Sequence, residues 1–442
     1  MKYIFALAFT ILLAVLPTTA QTKVAPQLHA VVFTHVTVID MTGAPAKSDM
    51  TVVTLGDHIF ALGKTGKVRV PKGAMVVDGT GKFLIPGLWD MHVHLEISGK
   101  ETSFPMYIAN GITGLRDMGG DIASINQWRQ QSAQGNLLAP RIIAAGSMLD
   151  GSPPDWPLRI VVKNETEARQ AVIFLKSRGA DFIKVHNLLS REAYFAIADE
   201  AKKQGLPFAG HVPFAVTATE ASNAGQKSIE HLTGLPTTYD NEEARTLYAL
   251  FVKNRTWQCP TLVALRSIAF LNDSDFTDDA RMKYIPPSVK ASWDFQINTF
   301  FKSRTPEAIA DAKNSVRVNI REVGAMHRAG IEFMAGTDVG FPYIFPGFSL
   351  HDELALLVQA GLTPMETLQA ATRNPAKYLG LLDSLGTVEK GKLANLVLLE
   401  ANPLENIGNS RKITAVMLNG KLLPKEVLQK MLSDAEATVN NR

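Results

Sequence analysis

His92 and His94 stand one residue apart in the apolar stretch GLWDMHVHL, Gly87 to Leu95. In a β-strand, alternate side chains share a face, so the two imidazoles would look the same way while Met91, Val93 and Leu95 look the other. Such a pair can offer two nitrogens to one ion; hydrogen-bonded core histidines are the plainer use. Four further polar groups sit late in other short apolar runs: Lys184 in DFIKVHN, His211 in FAGHVP, His231 in SIEHLT and Asp338 in FMAGTDVG. Each has a local alternative. Lys184 would serve as an ion-pair partner, with His186, two residues on and on the same face, competing as a ligand. His211 would satisfy a backbone carbonyl, Glu230 would be the buried acid beside His231, and Asp338 would cap a turn. Independent core histidines have no reason to recur at equivalent strand ends, so the joint pattern reads as a metal centre able to activate water.

The elements that must position these groups are short apolar runs alternating with helical patterns. The runs lie at Phe83–Leu95, Gly111–Met118, Arg141–Leu149, Asp181–Asn187, Pro207–Pro213, Lys227–Thr233, Thr256–Ala264 and Ile331–Asp338. Between them fall helical stretches such as NETEARQAVIFLKSRGA and LLSREAYFAIADEAKKQG, several closing on glycine. The alternation predicts an α/β fold, a (β/α)8 TIM barrel over residues 83–384, with chemistry at the C-terminal ends of its strands. The excursion from Arg266 to Ala329 would supply helices that cover the barrel mouth. Residues 21–82 and 385–425 are β-rich and punctuated by turns, which predicts one small β-sandwich domain built from both flanks, followed by a C-terminal helix or tail at 426–442.

Composition narrows the partners. With 46% hydrophobic and 20% charged residues the 442-residue chain is globular, and a formal net charge of +3 is too slight to point to nucleic acid. A small-molecule or short-peptide substrate is expected, with a homo-oligomeric assembly. Residues 1–20 carry a basic start at Lys2, an apolar core from Ile4 to Leu16 and the small-residue end Thr18-Thr19-Ala20, the pattern of a cleaved export signal. That core is short of the roughly 20 residues of a spanning helix, so no stable membrane insertion is expected after its removal. Cys259 is the only cysteine, which excludes an intramolecular disulfide. The mature chain is expected to be exported, periplasmic or secreted.

The motifs PGLWDMHVHL, DFIKV, GHVP, SIEHLTG and AGTD, with the long segment from PGFSLHDEL to ANPLENI, resemble the amidohydrolase superfamily. Within it they are most similar to the imidazolonepropionase-related and Xaa-Pro-dipeptidase-like branch. The resemblance implies two divalent metal ions, usually zinc, and a Lys184 carbamate formed with carbon dioxide. Carried over, His92, His94 and Asp338 would hold one metal, His211 and His231 the other, with Lys184 joining them; this is why Lys184 ranks above His186. A bridging lysine also argues against the mononuclear deaminases. A metal-bridging hydroxide would hydrolyse an amide bond, with Asp338 passing the proton to the departing amine. Dipeptides or N-acyl amino acids are the expected substrates. Cyclic amides, lactones or phosphotriesters are the alternative, and a catalytically silent metal- or ligand-binding protein is the reading from another class.

Substrate contacts are less specific. Tyr239, after SIEHLTG, is the candidate for polarising the carbonyl or touching substrate, against a packed loop aromatic. Arg116 would meet a carboxylate or pair with Asp117. Arg159 lies in AAGSMLDGSPPDWPLRI, where Trp156 and the prolines would shape a pocket; related sequences carry a histidine-containing glycine-rich segment there, a departure that weakens direct transfer of a proline- or arginine-dipeptide specificity. Ser349, His351, Asp352 and Glu353 read as caps and first-turn residues of a helix, and Arg373, Asn374 and Pro375 as a helix junction.

Overall fold

The computed structural model describes residues 30–153, 159–236 and 238–440; the export segment read at 1–20 and Trp156 lie outside the described residues. An eight-stranded sheet draws on both ends of the chain. Its strands run Lys421–Pro424, Ile413–Leu418, Leu396–Leu399, Phe83–Pro86, Ala30–Val38, Lys47–Leu55 and His58–Lys64, with Met75–Asp78 also paired to Ala30–Val38. The two ends meet where Val397 lies opposite Ile85 in an antiparallel pair. All four residues of Leu396–Leu399 are apolar and buried because the strand serves two cores. Leu396 and Leu398 pack with Phe33, Val52 and Met417, while Val397 and Leu399 face the large core of the central region.

The central region is built from parallel strands. One sheet orders Arg159–Val161, Met148–Asp150, Ile183–Val185, Phe208–Gly210, Ser228–Glu230 and Trp257–Cys259; another orders Leu88–Val93, Ile112–Asp117 and Arg141–Ala144. Helices separate them, and their faces follow from spacing. In Arg191–Lys203 the apolar Ala193, Ile197 and Ala201 recur every four residues and are buried with Tyr194, Ser190 caps the start by accepting from the Ala193 N–H, and Lys202 and Lys203 complement the C-terminal end.

Three apolar runs differ from their expected form. Phe83–Leu95 divides at Gly87, its first part joining the two-ended sheet and its second the central strands. Arg141–Leu149 divides at Gly146, which takes a left-handed φ of 70°, so that Arg141–Ala144 and Met148–Asp150 belong to different sheets. Ile331–Asp338 forms isolated bridges, Phe333 with Gln258 and Val339 with Val93, in place of a regular strand. Its backbone still reaches both neighbours: Met334 N–H donates to Gln258 O at 2.9 Å on one side, and on the other Met91 N–H donates to Ala335 O at 2.9 Å and Asp338 N–H to His92 O at 2.7 Å. This closeness demands glycine at 336, where a Cβ would lie 2.5 Å from Cys259 Sγ and 2.9 Å from His92 N.

Glu322, on the long Pro306–Arg328 helix, is buried and accepts from the Tyr248 hydroxyl at 3.2 Å. Burial pushes its carboxyl up to about 7, against the lowering effect of that hydrogen bond. The folded chain therefore keeps a proton that the unfolded chain releases at its ordinary value of 4.5. Stability from the protonated form is complete at low pH and is lost as pH rises through the folded value. Glu322→Gln should gain on the wild type by on the order of 2 kcal/mol between pH 5 and pH 8 in urea denaturation; parallel profiles for the two proteins would contradict a buried acid.

Candidate metal centre

The polar groups singled out above come together at one cavity of about 380 Å³, lined by His92, His94, Lys184, His211, His231 and Asp338. His92 lies in the Leu88–Val93 strand and His94 follows it; Lys184 lies in Ile183–Val185; His211 and His231 directly follow Phe208–Gly210 and Ser228–Glu230. Asp338 follows the bridging segment. His231 and Asp338 hold left-handed φ values of 57° and 66°, costly for residues with a side chain and typical of sites where the surroundings over-determine the backbone. Asp90 supplies part of that constraint, accepting from Thr337 Oγ1 at 2.6 Å, Thr337 N–H at 3.0 Å and His92 N–H at 3.3 Å.

The histidine nitrogens are sorted by their outer partners. His92 Nδ1 lies 2.8 Å from Glu230 Oε2, His94 Nδ1 3.2 Å from Gly119 O and His211 Nδ1 2.8 Å from Asn187 Oδ1. These oxygens accept, so the Nδ1 atoms donate. His231 Nδ1 lies 2.6 Å from Thr261 Oγ1, whose own proton goes to Pro260 O at 2.8 Å, so here too Nδ1–H is the donor. In a neutral ring with Nδ1 protonated, Nε2 carries the lone pair, the form a metal binds. Burial holds His92 and His211 well below the usual imidazole value and His231 at about 4. All three are therefore neutral near pH 7.

Toward the centre the polar atoms lack partners. His92 Nε2, Lys184 Nζ and Asp338 Oδ1 are buried without a hydrogen bond. Asp338 Oδ1 lies 3.4 Å from His92 Nε2 and 3.2 Å from His94 Nε2, and one ligand atom from each of these three residues falls within 4.8 Å of the others. Orphaned buried donors and acceptors are costly unless something binds them, so this set fits a cation. Burial would raise the Asp338 carboxyl, but the polar groups facing it, His231, His94 and Lys184, outweigh it and the group is lowered, hence ionised. Burial pushes the Lys184 amine down to about 8, against Glu230 and Asp338.

His186 lines the same cavity, but both its nitrogens are engaged: Nδ1 lies 3.0 Å from Asp150 Oδ2 and Nε2 3.5 Å from Arg159 Nη2. Arg159 also lines the cavity and pairs with Asp150. Two expectations are corrected. Tyr239 lines a separate cavity with Tyr248, Arg245 and Arg328, away from the histidines. Arg116 does not pair with Asp117, because consecutive strand residues face opposite sides. Instead Arg116 is fully buried, with Nη2 on Glu230 Oε2 at 2.8 Å, Nε on Met91 O at 2.6 Å and Nη1 on Ser228 Oγ at 3.0 Å, while Asp117 accepts from Leu95 N–H at 2.9 Å. Glu230 therefore links a buried guanidinium to His92. That link, Asn187 and Thr261 were not singled out from the sequence; the only signal for Asn187 and Thr261 is their place just after a strand.

The Ser349 group also departs from expectation. The Phe348–Gln359 helix has Gly347 at its cap position and no side-chain cap. Ser349 Oγ accepts from Phe345 N–H at 2.8 Å, His351 Nδ1 lies 2.8 Å from Ser410 Oγ, Asp352 pairs with Arg281 and Arg411, and Glu353 accepts from Val263 N–H at 2.8 Å. Asn374 docks the following junction by donating to Phe333 O at 2.9 Å.

Residues 83–423 match the Amidohydrolase family. The chain belongs to this family. It is a hydrolase of carbon–nitrogen bonds of the amide type, in a metal-dependent family whose ligand chemistry the clustered histidines and aspartate match. Imidazolonepropionase of Pseudomonas putida (strain GB-1) is 23% identical over 415 residues, covering 87% of this chain and 94% of the relative. Among solved structures, a Xaa-Pro dipeptidase with bound methionine in its active site is 24% identical at a TM-score of 0.69, covering 89% of this chain and 100% of its own. Bottromycin amidohydrolase is 23% identical at 0.75, covering 94% of this chain and 91% of its own. Both share the fold.

As an amidohydrolase the chain should depend on the outer partners that orient its histidines. Thr261→Val keeps the shape and removes the hydroxyl that accepts from His231. It should weaken binding of added Zn²⁺ by about 10- to 100-fold in chelator competition; unchanged affinity would show that Thr261 does not orient the ring.

Proposed function

We propose that this amidohydrolase is an exported binuclear enzyme that cleaves the amide bond of dipeptides or N-acyl amino acids. One observation carries the reading: Lys184 Nζ, His92 Nε2 and Asp338 Oδ1 are buried without partners at a cavity that four inward-facing imidazoles also line. His92, His94 and Asp338 would hold one ion and His211 and His231 the other, with a carboxylated Lys184 between them. Only an unprotonated amine adds carbon dioxide, and burial, by lowering Lys184 to about 8, raises the share of that form near neutral pH. Zinc suits the imidazole and carboxylate donors, and two such ions would polarise a carbonyl and acidify a water.

The chain's own groups account for the proton and the substrate. Asp338, ionised and with Oδ1 unpartnered, accepts the proton of the attacking water and delivers it to the leaving nitrogen. Arg159, on the cavity wall, would share its guanidinium between Asp150 and the free carboxylate that dipeptides and N-acyl amino acids have in common. The scaffold we infer is a (β/α)8 barrel. Its support is the segment through Gly336, hydrogen-bonded to Gln258 on one side and to Met91 and His92 on the other, and the Asp181 N–H donating to Ala144 O at 2.9 Å between the two parallel sheets. Export rests on the pattern of residues 1–20. Among the described residues no helix is long and apolar enough to cross a membrane.

Elemental analysis of the purified protein, combined with a hydrolysis screen of dipeptides, N-acyl amino acids, lactones and phosphotriesters, tests the proposal. Zinc bound at two ions per chain with turnover of the first two classes is expected; a metal-replete protein inert to both classes would overturn it. Lys184→Ala should lose bound metal and regain part of it, with activity, on adding short carboxylic acids. Asp338→Asn should lower kcat by about 10²- to 10⁴-fold in protein shown to hold metal; near-normal kcat would remove Asp338 from the proton transfer.

A further inference from the structure

The cavity that holds the histidines also has an apolar part to its wall. Phe214, Leu265, Ile268, Phe300, Phe301 and Phe341 line it. Two of these rings are tied by sequence to the ligands, Phe214 lying three residues after His211 and Phe341 three residues after Asp338. Asn187 anchors the first loop twice, accepting from His211 through its side chain and from Phe214 N–H through its carbonyl at 3.0 Å. Leu265 and Ile268 project from the Leu262–Phe270 helix. Phe300 and Phe301 come from the Ile297–Phe301 turn, a π-helical segment of a kind rare in proteins and frequent at functional sites. Buried Gln296, at the start of that turn, also lines the cavity. Its Nε2 donates to Gly340 O at 3.0 Å, so the aromatic turn is bonded to the loop that carries Asp338, and its Oε1 has no partner.

Phe214 is 80% exposed and Phe300 45% exposed. Large apolar side chains held in water beside an otherwise satisfied core gain burial only when a ligand covers them. The volume of about 380 Å³ falls in the range of small-molecule sites, roughly 300–1,000 Å³.

We propose that this wall is a specificity subsite for an aromatic side chain on the amide substrate, seated against Phe214, Phe300 and Phe301 while its amide lies at the histidine end, with Gln296 Oε1 accepting a substrate N–H beside the ring. The proposal deepens the amide-hydrolase reading and rests on it for the placement of the amide. Aromatic rings stack edge to face on such residues, and burying one removes more apolar surface from water than burying a methyl.

Two measurements separate the subsite from the reaction. Turnover is compared for alanylalanine, phenylalanylalanine and alanylphenylalanine; one of the aromatic dipeptides should exceed alanylalanine in kcat/KM by about 10-fold or more. Equilibrium binding to the metal-loaded protein is compared for phenylalanine and alanine, which carry no amide bond to cleave, by calorimetry, with the aromatic ligand bound more tightly. Phe300→Ala and the more exposed Phe214→Ala should each lower both ratios, with Phe295→Ala as a control, since Phe295 is 61% exposed and does not line the cavity. Aromatic preference in binding with no turnover of any dipeptide would sink the dipeptide reading and leave the subsite standing. Turnover with equal kcat/KM for all three dipeptides, or ratios unchanged in both cavity variants, would overturn the subsite.

Discussion

The centre depends on keeping polar atoms out of water while leaving them unmatched on one side only. His92, Lys184 and Asp338 are buried, and desolvating them would favour collapse onto one another or neutralisation. What prevents collapse is that the outer half of each imidazole is committed elsewhere. Glu230, the Gly119 carbonyl, Asn187 and Thr261 take the Nδ1 protons of His92, His94, His211 and His231. With those bonds made, the rings cannot turn their lone pairs outward without losing a partner. A cation then meets ligands already in the right protonation state and orientation, so less of its binding energy is spent on ordering the site.

The most demanding of these commitments is the one at His92. Glu230 can accept from His92 as a buried carboxylate because Arg116 neutralises it at 2.8 Å, and Arg116 can be buried because Met91 O, Ser228 and Tyr378 take its other donors. A buried ion pair of this kind adds little net stability, since desolvation offsets most of the attraction. Its value lies in direction: a negative oxygen at Nδ1 raises the basicity of the opposite nitrogen and fixes the ring plane. Tyr378, which also lies against Arg116 with its ring centroid 5.2 Å from the guanidinium, brings in the helix junction read from ATRNPAKYLG. The junction thus supports the centre from behind without contributing a ligand.

Local periodicity carried much of this into the sequence, and long-range pairing did not. The shared face of His92 and His94 follows from two-residue alternation, His211, His231 and Asp338 were recognisable because each falls late in a short apolar run, and the family resemblance singled out Lys184 over His186. Gly146 was not readable as a break, because the residues on both sides are equally apolar and differ only in which sheet they join. The Arg116–Glu230 bond spans 114 positions; strand alternation rules out a pairing with adjacent Asp117, but no local pattern points to Glu230. Tyr239 follows the His231 motif closely, yet its ring lines another cavity, because where a loop side chain points depends on packing and not on proximity in the chain. Ser349, His351 and Glu353 resembled helix-start residues by type, while their partners, Phe345, Ser410 and Val263, lie on segments that only the fold brings near.

The least regular stretch of the central region is also the one that carries Asp338, and the two facts have a common cause. A continuous strand through residues 331–339 would alternate its side chains and hold φ in the extended range, which would not aim Asp338 at two histidines on the neighbouring strand. The chain leaves the regular ladder after Ala335, passes Gly336 against Cys259 and His92, and turns at Asp338 with a φ of 66°. A left-handed non-glycine residue costs on the order of 1–3 kcal/mol. The hydrogen bonds from Thr337 to Asp90 and from Asp338 N–H to His92 O offset that strain where it arises. Asp90 sits two residues before His92, so one strand both presents the imidazoles and holds the carboxylate opposite them. Asp90, His92 and His94 lie within one short stretch of chain, and a change in any one of them would disturb both halves of the ligand set together.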